Sequence, residues 1–159
     1  MLLKRLFFSS LLLYTFLGCK EDDKVDCSLV DCLSVDNSIY FKVIDKTTGE
    51  NLISNGTYLA SQINIQDLDS NIVDFELQKD FENQDLLVLH LQNNHFGDLG
   101  YQITIEDENP FNLTLTAFFI QGDECCGPYI GTDDISLTGI EGEFVNQGTL
   151  PITVTVFVP

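Results

Sequence analysis

The segment Ile152–Val158 reads ITVTVFV, with an apolar residue at every second position. Successive side chains of a β-strand point to opposite faces of the sheet. One face of this segment would therefore carry four β-branched residues, Ile152, Val154, Val156 and Val158. Because β-branched residues pack well on a pleated sheet, the segment predicts a strand with one buried face.

The two-residue period recurs through most of the chain from Ile39 onward. Leu86–Leu91 is a denser apolar run, which is typical of a strand buried on both faces. Turn residues separate these runs, and few windows have helical spacing. The pattern suits a β-sandwich or a small barrel, and we favour an all-β fold, a single β-sandwich of about seven to eight strands. The other predicted strands are Ile39–Asp45, Ile63–Ile65, Ile72–Leu77, Tyr101–Glu106 and a segment in which Leu113, Leu115, Ala117 and Phe119 share one face.

The stretch Val43–Leu52 reads VIDKTTGENL and runs from a strand into a Thr-Gly turn and then to an apolar residue. It resembles the first hairpin of transthyretin-like and carboxypeptidase-regulatory β-sandwiches. This resemblance implies a transthyretin-like sandwich. An immunoglobulin-like sandwich fits the strand pattern equally well.

The first 18 residues have the layout of a secretory signal peptide. Lys4 and Arg5 give the positive start, Leu6–Leu17 is uncharged and apolar, and the small Gly18 precedes Cys19. Twelve residues of helix cover about 18 Å, against roughly 30 Å for the hydrocarbon core of a bilayer. We therefore predict that residues 1–18 direct export and are removed, and that the mature chain has no transmembrane helix.

The residues around the predicted cleavage site, Phe16-Leu17-Gly18-Cys19, resemble the lipobox of bacterial lipoproteins. The resemblance implies that Cys19 is lipidated and becomes the first residue of the mature chain. Each buried acyl methylene contributes about 0.8 kcal/mol, so two or three chains hold a protein on a membrane almost permanently. In the alternative interpretation, an ordinary signal is cleaved elsewhere and Cys19 is a spare thiol.

The run Lys20, Glu21, Asp22 and Asp23 directly follows the predicted lipidated cysteine. It resembles the Lys-acidic export signal of lipoproteins in Bacteroidetes, especially flavobacteria. That resemblance implies an outer-membrane location, facing the cell exterior. An acidic run is also typical of a solvated linker. We predict an acidic, disulfide-stapled tether over residues 19–38 and the β-sandwich domain over residues 39–159.

The charge balance excludes some partners. Seven Lys and Arg residues against 25 Asp and Glu residues give a formal net charge of -18. Nucleic acid binding needs clustered cations, so we predict no nucleic acid partner. Cleavage before Cys19 would remove Arg5, the only arginine, and arginine is the usual ligand for phosphate and carboxylate groups. Anionic ligands are therefore disfavoured.

The remaining cysteines, Cys27, Cys32, Cys125 and Cys126, are even in number, which suits an oxidising compartment. Three pairings are possible. A bridge between adjacent residues is disfavoured, because their α-carbons lie about 3.8 Å apart and disulfides usually span about 4.4–6.8 Å. We predict two long-range bridges between the N-terminal and C-terminal pairs. A metal site or a redox pair is the alternative.

A candidate calcium loop begins at Asp67 with the sequence DLDSN. An EF-hand loop requires Gly at the sixth position and Glu at the twelfth, and here these positions hold Ile72 and Gln78. The remaining possibilities are a turn between strands and a looser calcium site built from Asp67, Asp69, Asn71 and Asp74.

Few other residues suggest chemistry. His90, His95 and Asp98 are the best candidates for an enzyme site, but they lack the spacing of metal ligands. No Gly-x-Ser-x-Gly motif is present in the sequence. We therefore predict a protein that is not an enzyme, with no catalytic residues, no metal and no cofactor.

The expected function is a non-enzymatic binding or accessory module that contacts an outer-membrane or extracellular protein. Glycans are less favoured because the chain has no Trp. The alternatives are a purely structural envelope lipoprotein and an inhibitor- or immunity-type protein that presents a loop such as Cys125–Gly131. Exposed aromatic residues would make the contact, and the candidates are Tyr58, Phe96, Tyr101, Phe118 and Tyr129.

Overall fold

A computed structural model describes residues 36–91, 96–106, 108–122, 125–126 and 128–159. Within these residues the chain forms nine strands and one short 3₁₀ helix, Ala60–Gln62. The strands are β1 (Ser38–Asp45), β2 (Ile63–Asp67), β3 (Glu76–Lys79), β4 (Asp85–His90), β5 (Gly97–Ile105), β6 (Phe111–Ile120), β7 (Tyr129–Thr138), β8 (Glu141–Val145) and β9 (Ile152–Val158). The described part of the chain has no helix of the length and apolar character needed to cross a bilayer.

The strands form two sheets, with the order β3-β4-β1-β9-β8 in one and β2-β5-β6-β7 in the other. All pairs are antiparallel except β1 and β9, which run parallel from Ile39 opposite Ile152 to Asp45 opposite Val158. The inner faces of the two sheets share one hydrophobic core, and the sheets do not close into a barrel. The predicted all-β sandwich is therefore confirmed.

The core contains the inward-facing residues that the two-residue period predicts. β1 and β9 lie beside each other in the five-stranded sheet and bury one face each, including Phe41, Val43, Val154 and Val156. The predicted burial of β4 on both faces is also confirmed, because Leu86 to Leu89 are all buried. Alternation in these strands thus positions the two sheets against each other.

Three parts of the strand prediction are wrong. The strand expected over Ile72–Leu77 begins only at Glu76, and Ile72 is exposed. β7 and β8 were not expected at all. In β7 a bulge opposite Thr114 and Thr116 shifts the inward positions from Ile130 and Thr132 to Ile135 and Leu137, which breaks the regular period. β8 is a five-residue edge strand with little apolar content, so its sequence gives almost no strand signal.

The turn after β1 closes as the sequence suggests. The Asp45 carboxylate accepts hydrogen bonds from the backbone N–H groups of Thr47 and Thr48, and these bonds hold the pKa of Asp45 below its usual value. Gly49 adopts a positive φ of 74°, which favours glycine. The chain then returns beside β1, and Asn51 pairs with Ile44.

Tyr101 gives the sandwich a predicted sensitivity to alkali. Burial raises the pKa of the Tyr101 phenol to about 12, and the negative charge of Asp67 contributes in the same direction. The folded protein then retains a proton that the unfolded chain releases above about pH 10, so stability falls as the pH rises from about 10 towards 12. We expect the ionisation of this one group to lower the free energy of unfolding by roughly 2 to 3 kcal/mol over that interval.

Urea unfolding at a series of alkaline pH values, compared between the natural protein and Tyr101→Phe, measures this effect. The variant should lose part of the pH dependence. Equal pH dependence in both proteins would show that the phenol does not contribute.

Candidate binding surfaces

The structure divides the five aromatic candidates into two groups. Tyr58 and Tyr101 are only 7% and 6% exposed, so proposing them as contact residues was wrong. Tyr101 occupies an inward position of β5 and Tyr58 packs against the core. Phe96, Phe118 and Tyr129 are exposed, and the structure brings them together at one end of the four-stranded sheet.

These exposed side chains, here called the aromatic patch, are Phe118, Ile120 and Tyr129 on the outer face of the four-stranded sheet and Phe96 and Phe119 at the end of its inner face. Phe118 is 40% exposed and Phe119 is 57% exposed. The rings of Phe96 and Phe119 meet edge to face, with centroids 6.2 Å apart and planes at 88°. Sequence alternation placed Phe119 on the face of Leu113, Leu115 and Ala117. That face continues to Phe119, but the core ends before it, so the side chain is exposed.

A glycine in β7 makes room for two side chains of the patch, Phe118 and Ile120. Gly131 in β7 pairs with Phe118 in β6, and Ile120 is the next outward residue of β6. A Cβ atom at position 131 would lie 2.5 Å from Cε2 of Phe118 and 2.6 Å from Cδ1 of Ile120. The absence of a side chain at Gly131 therefore lets both apolar side chains cover β7.

The aromatic patch lies at the end of the sandwich where the described chain begins. Gly131 forms a bridge with Thr149, just before β9. Ile152 at the start of β9 pairs with Ile39 at the start of β1. Cys125 and Cys126 follow β6 at this same end, and both are half-buried. The described chain therefore begins at the same end of the sandwich as the patch and the two cysteines.

Carboxylates stand next to the patch on the outer face of the four-stranded sheet. Asp98 in β5 and Asp133 in β7 both pair with Thr116 in β6, one on each side. The hydroxyl of Thr116 donates a hydrogen bond of 2.9 Å to Asp98. Phe118 is two residues further along β6, which is roughly 7 Å. A row of acid, hydroxyl and acid therefore borders the aromatic side chains.

The positive charges of the described residues lie elsewhere. The three lysines among the described residues belong to β1, β3 and the turn after β1, on the side of the five-stranded sheet. Each lysine is already ion-paired with an acid, as Lys42 with Asp80 at 2.7 Å, Lys79 with Asp85 at 2.6 Å, and Lys46 with Glu141. Within the described residues, the four-stranded sheet therefore has carboxylates and no lysine or arginine.

A groove on the outer face of the five-stranded sheet is the second candidate binding surface. It has a volume of about 640 Å³ and is lined in part by Tyr40, Leu86, Phe81, Val145 and Thr153. This volume is within the roughly 300–1,000 Å³ of small-molecule sites. Two ion-paired lysines also line it, and their charges are neutralised by neighbouring acids. The groove thus offers apolar contact without a free cation among its described residues.

His90 belongs to a hydrogen-bonded chain on the same sheet. Its Nε2 lies 2.9 Å from Glu76 Oε1, and its Nδ1 lies 2.8 Å from the Ser38 hydroxyl. The bond from His90 holds the pKa of Glu76 below its usual value, and a bond from Gln78 acts in the same direction. The order Ser-His-Glu matches that of a hydrolase triad, but Ser38 is completely buried and does not offer its hydroxyl to a substrate.

Two of the three candidates for an enzyme site, His90 and Asp98, lie near each other. Both residues line one cleft of about 270 Å³. Their polar atoms are engaged with other residues, since His90 bonds to Ser38 and Glu76 and Asp98 accepts from Thr116. His95 lies outside the described residues. His90 therefore bonds to side chains of the five-stranded sheet, and Asp98 bonds to a side chain of the four-stranded sheet.

The polar groups of the turn at Asp67 form hydrogen bonds with one another. Asp67 Oδ1 accepts hydrogen bonds from the backbone N–H groups of Asp69 and Asn71, and the Asn71 side chain donates to both carboxylate oxygens. Among the described residues, no group of three or more His, Cys, Asp or Glu side chains is arranged to hold a metal ion. The geometry is that of a turn between strands, the first of the two possibilities.

Several predicted site residues lie outside the described part of the chain. They are the lipidation residue Cys19, the export residues Lys20, Glu21, Asp22 and Asp23, and the cysteines Cys27 and Cys32. The long-range pairing of Cys125 and Cys126 with the latter two stays a prediction. Comparison of the chain with family models, curated proteins and solved structures finds no match.

Proposed function

We propose that the protein is a lipid-anchored outer-membrane lipoprotein that faces the cell exterior and serves as a non-enzymatic binding or accessory module. The lipobox-like sequence at Cys19 and the acidic run behind it support the anchor and its location. The aromatic patch is the single structural observation that supports binding. Exposed apolar clusters on a small domain are typical of interaction sites, and aromatic residues are enriched at interfaces.

The geometry of the patch suits contact with a protein. Phe118 and Ile120 lie against β7, and the ring of Phe119 packs edge to face on the ring of Phe96. Side chains that are already ordered lose little conformational entropy on binding. Truncation of a well-packed aromatic contact at an interface costs more than about 1 kcal/mol of binding free energy. Phe118 and Phe119 are the residues that we assign as binding anchors.

Two disulfides between the tether and the sandwich are part of this proposal. The described chain begins at the patch end, beside Cys125 and Cys126. Cys32 is only four residues before Asp36, the first described residue. Four residues span at most about 14 Å, so a bridge from this segment would require the chain to remain close to the patch. The bridges would fix the lipid-bearing end of the chain to the domain.

Site-specific photocrosslinking on intact cells tests the binding function. Phe119 is replaced by p-benzoylphenylalanine in one strain, and Phe81, which is fully exposed in the turn between β3 and β4, is replaced in a matched strain. We expect a discrete crosslinked protein from position 119 and none from position 81. Absence of any adduct at 119, or the same adducts from both positions, would contradict a binding role for the patch.

A further inference from the structure

We propose that the partner of the aromatic patch is a basic protein segment, one that presents Arg or Lys side chains next to apolar side chains. This inference rests on the proposed binding function and adds the chemistry of the partner. It is drawn from three features of the four-stranded sheet: the aromatic side chains, the carboxylates beside them, and the location of the lysines on the other sheet.

The aromatic rings provide one half of the recognition. Phe118 and Tyr129, which lie on the same outer face as Asp98 and Asp133, are both more than a third exposed. The faces of aromatic rings attract cations, and arginine in particular stacks on them. Aliphatic side chains between the cations would cover Ile120 and the ring edges. A segment that alternates basic and apolar residues would therefore satisfy this surface.

The carboxylates provide the other half. Asp98 and Asp133 stand on either side of Thr116, one outward position away from Phe118 on β6. Ion pairs in the described residues are made by the three lysines and His90, and none of them includes an acid of this sheet. An anionic partner would meet uncompensated negative charge here, in a chain of formal net charge -18. A basic partner would neutralise it.

Fluorescence anisotropy of labelled peptides with the purified lipoprotein in detergent tests this inference. The probes are a short peptide of repeated Arg-Leu-Ser units and its Glu-Leu-Ser counterpart. We expect the Arg peptide to bind and the Glu peptide not to bind. Affinity for the Arg peptide should fall about tenfold in Phe118→Ser and about five- to tenfold in Asp98→Asn/Asp133→Asn.

Two matched controls separate this site from general attraction to an acidic protein. Phe81→Ser removes an exposed aromatic ring far from the patch, and Glu50→Gln/Glu143→Gln removes the same two charges from the other sheet and its turn. Both controls should bind within about twofold of the natural protein. Equal losses in the two charge variants, or equal binding of the Glu peptide, would overturn the basic-partner inference.

The crosslinking experiment distinguishes this failure from a failure of the binding function. A crosslinked protein at position 119, together with equal affinity of the natural protein and Asp98→Asn/Asp133→Asn for the Arg peptide, would retain the binding function and refute the basic partner. A protein partner with an uncharged, apolar contact segment would give that result. Lack of any crosslinked partner would refute both.

Discussion

Phe41→Ala is expected to destabilise the sandwich by about 3 to 5 kcal/mol, the largest effect of any single substitution considered. Phe41 is in β1, which lies between β4 and β9 in the five-stranded sheet, and its side chain is only 2% exposed. Truncation removes a ring from the interior and leaves a cavity that the neighbouring strands fill only partly. The free energy of unfolding of a small domain is about 5 to 15 kcal/mol in total, so this variant would lose much of its stability.

Phe81→Ala is the matched control, because it removes the same ring from a fully exposed position. Urea unfolding followed by circular dichroism gives the free energy of unfolding of both variants. The control should stay within about 0.5 kcal/mol of the natural protein. A loss below about 1 kcal/mol in Phe41→Ala would contradict the packing of β1 against the opposite sheet.

The second large effect is expected from Cys125→Ser/Cys126→Ser. The predicted bridges to Cys27 and Cys32 each close a loop of nearly 100 residues, for which the chain-entropy model gives up to about 4.7 kcal/mol. The second bridge should add less than the first, because it closes almost the same loop. We therefore expect a loss of about 4 to 5 kcal/mol in the free energy of unfolding under oxidising conditions.

The matched variant Cys27→Ser/Cys32→Ser should show the same loss, and the quadruple variant should lose no more than either pair. Such non-additivity is the signature of residues that act as pairs. Peptide mapping without reductant then identifies the partner of each cysteine. A bridge within the Cys27–Cys32 pair, or unchanged stability of Cys125→Ser/Cys126→Ser, would contradict the long-range connectivity.

Alternation predicted the strands whose inner faces are continuous. β1, β5 and β9 have apolar residues at every second position, and the structure buries those positions. Alternation does not indicate a strand where the two-residue period is interrupted. The bulge in β7 at Asp134 and Ile135 changes the inward positions, and Asp134 adopts a positive φ of 51° there. Such a local backbone irregularity depends on the partner strand, which the sequence of β7 alone does not reveal.

The candidate site was predicted less completely, for a related reason. Phe96, Phe118 and Tyr129 were identified as aromatic candidates, but only strand pairing shows that they share one end of a sheet. The two-residue period places Phe119 on the face of Leu113, Leu115 and Ala117, but the core ends before it and the side chain is exposed. The role of Gly131 depends on Phe118 and Ile120 in the neighbouring strand β6, so the sequence around Gly131 does not predict it.

Protease shaving of intact cells tests the central claim most directly, with detection by an antibody against the β-sandwich and a periplasmic protein as the control. The account predicts that the sandwich signal is lost while the periplasmic control stays intact. Lysed cells establish that the folded domain can be cleaved by the protease. Full protection on intact cells, together with cleavage in lysed cells, would contradict a domain displayed at the cell exterior.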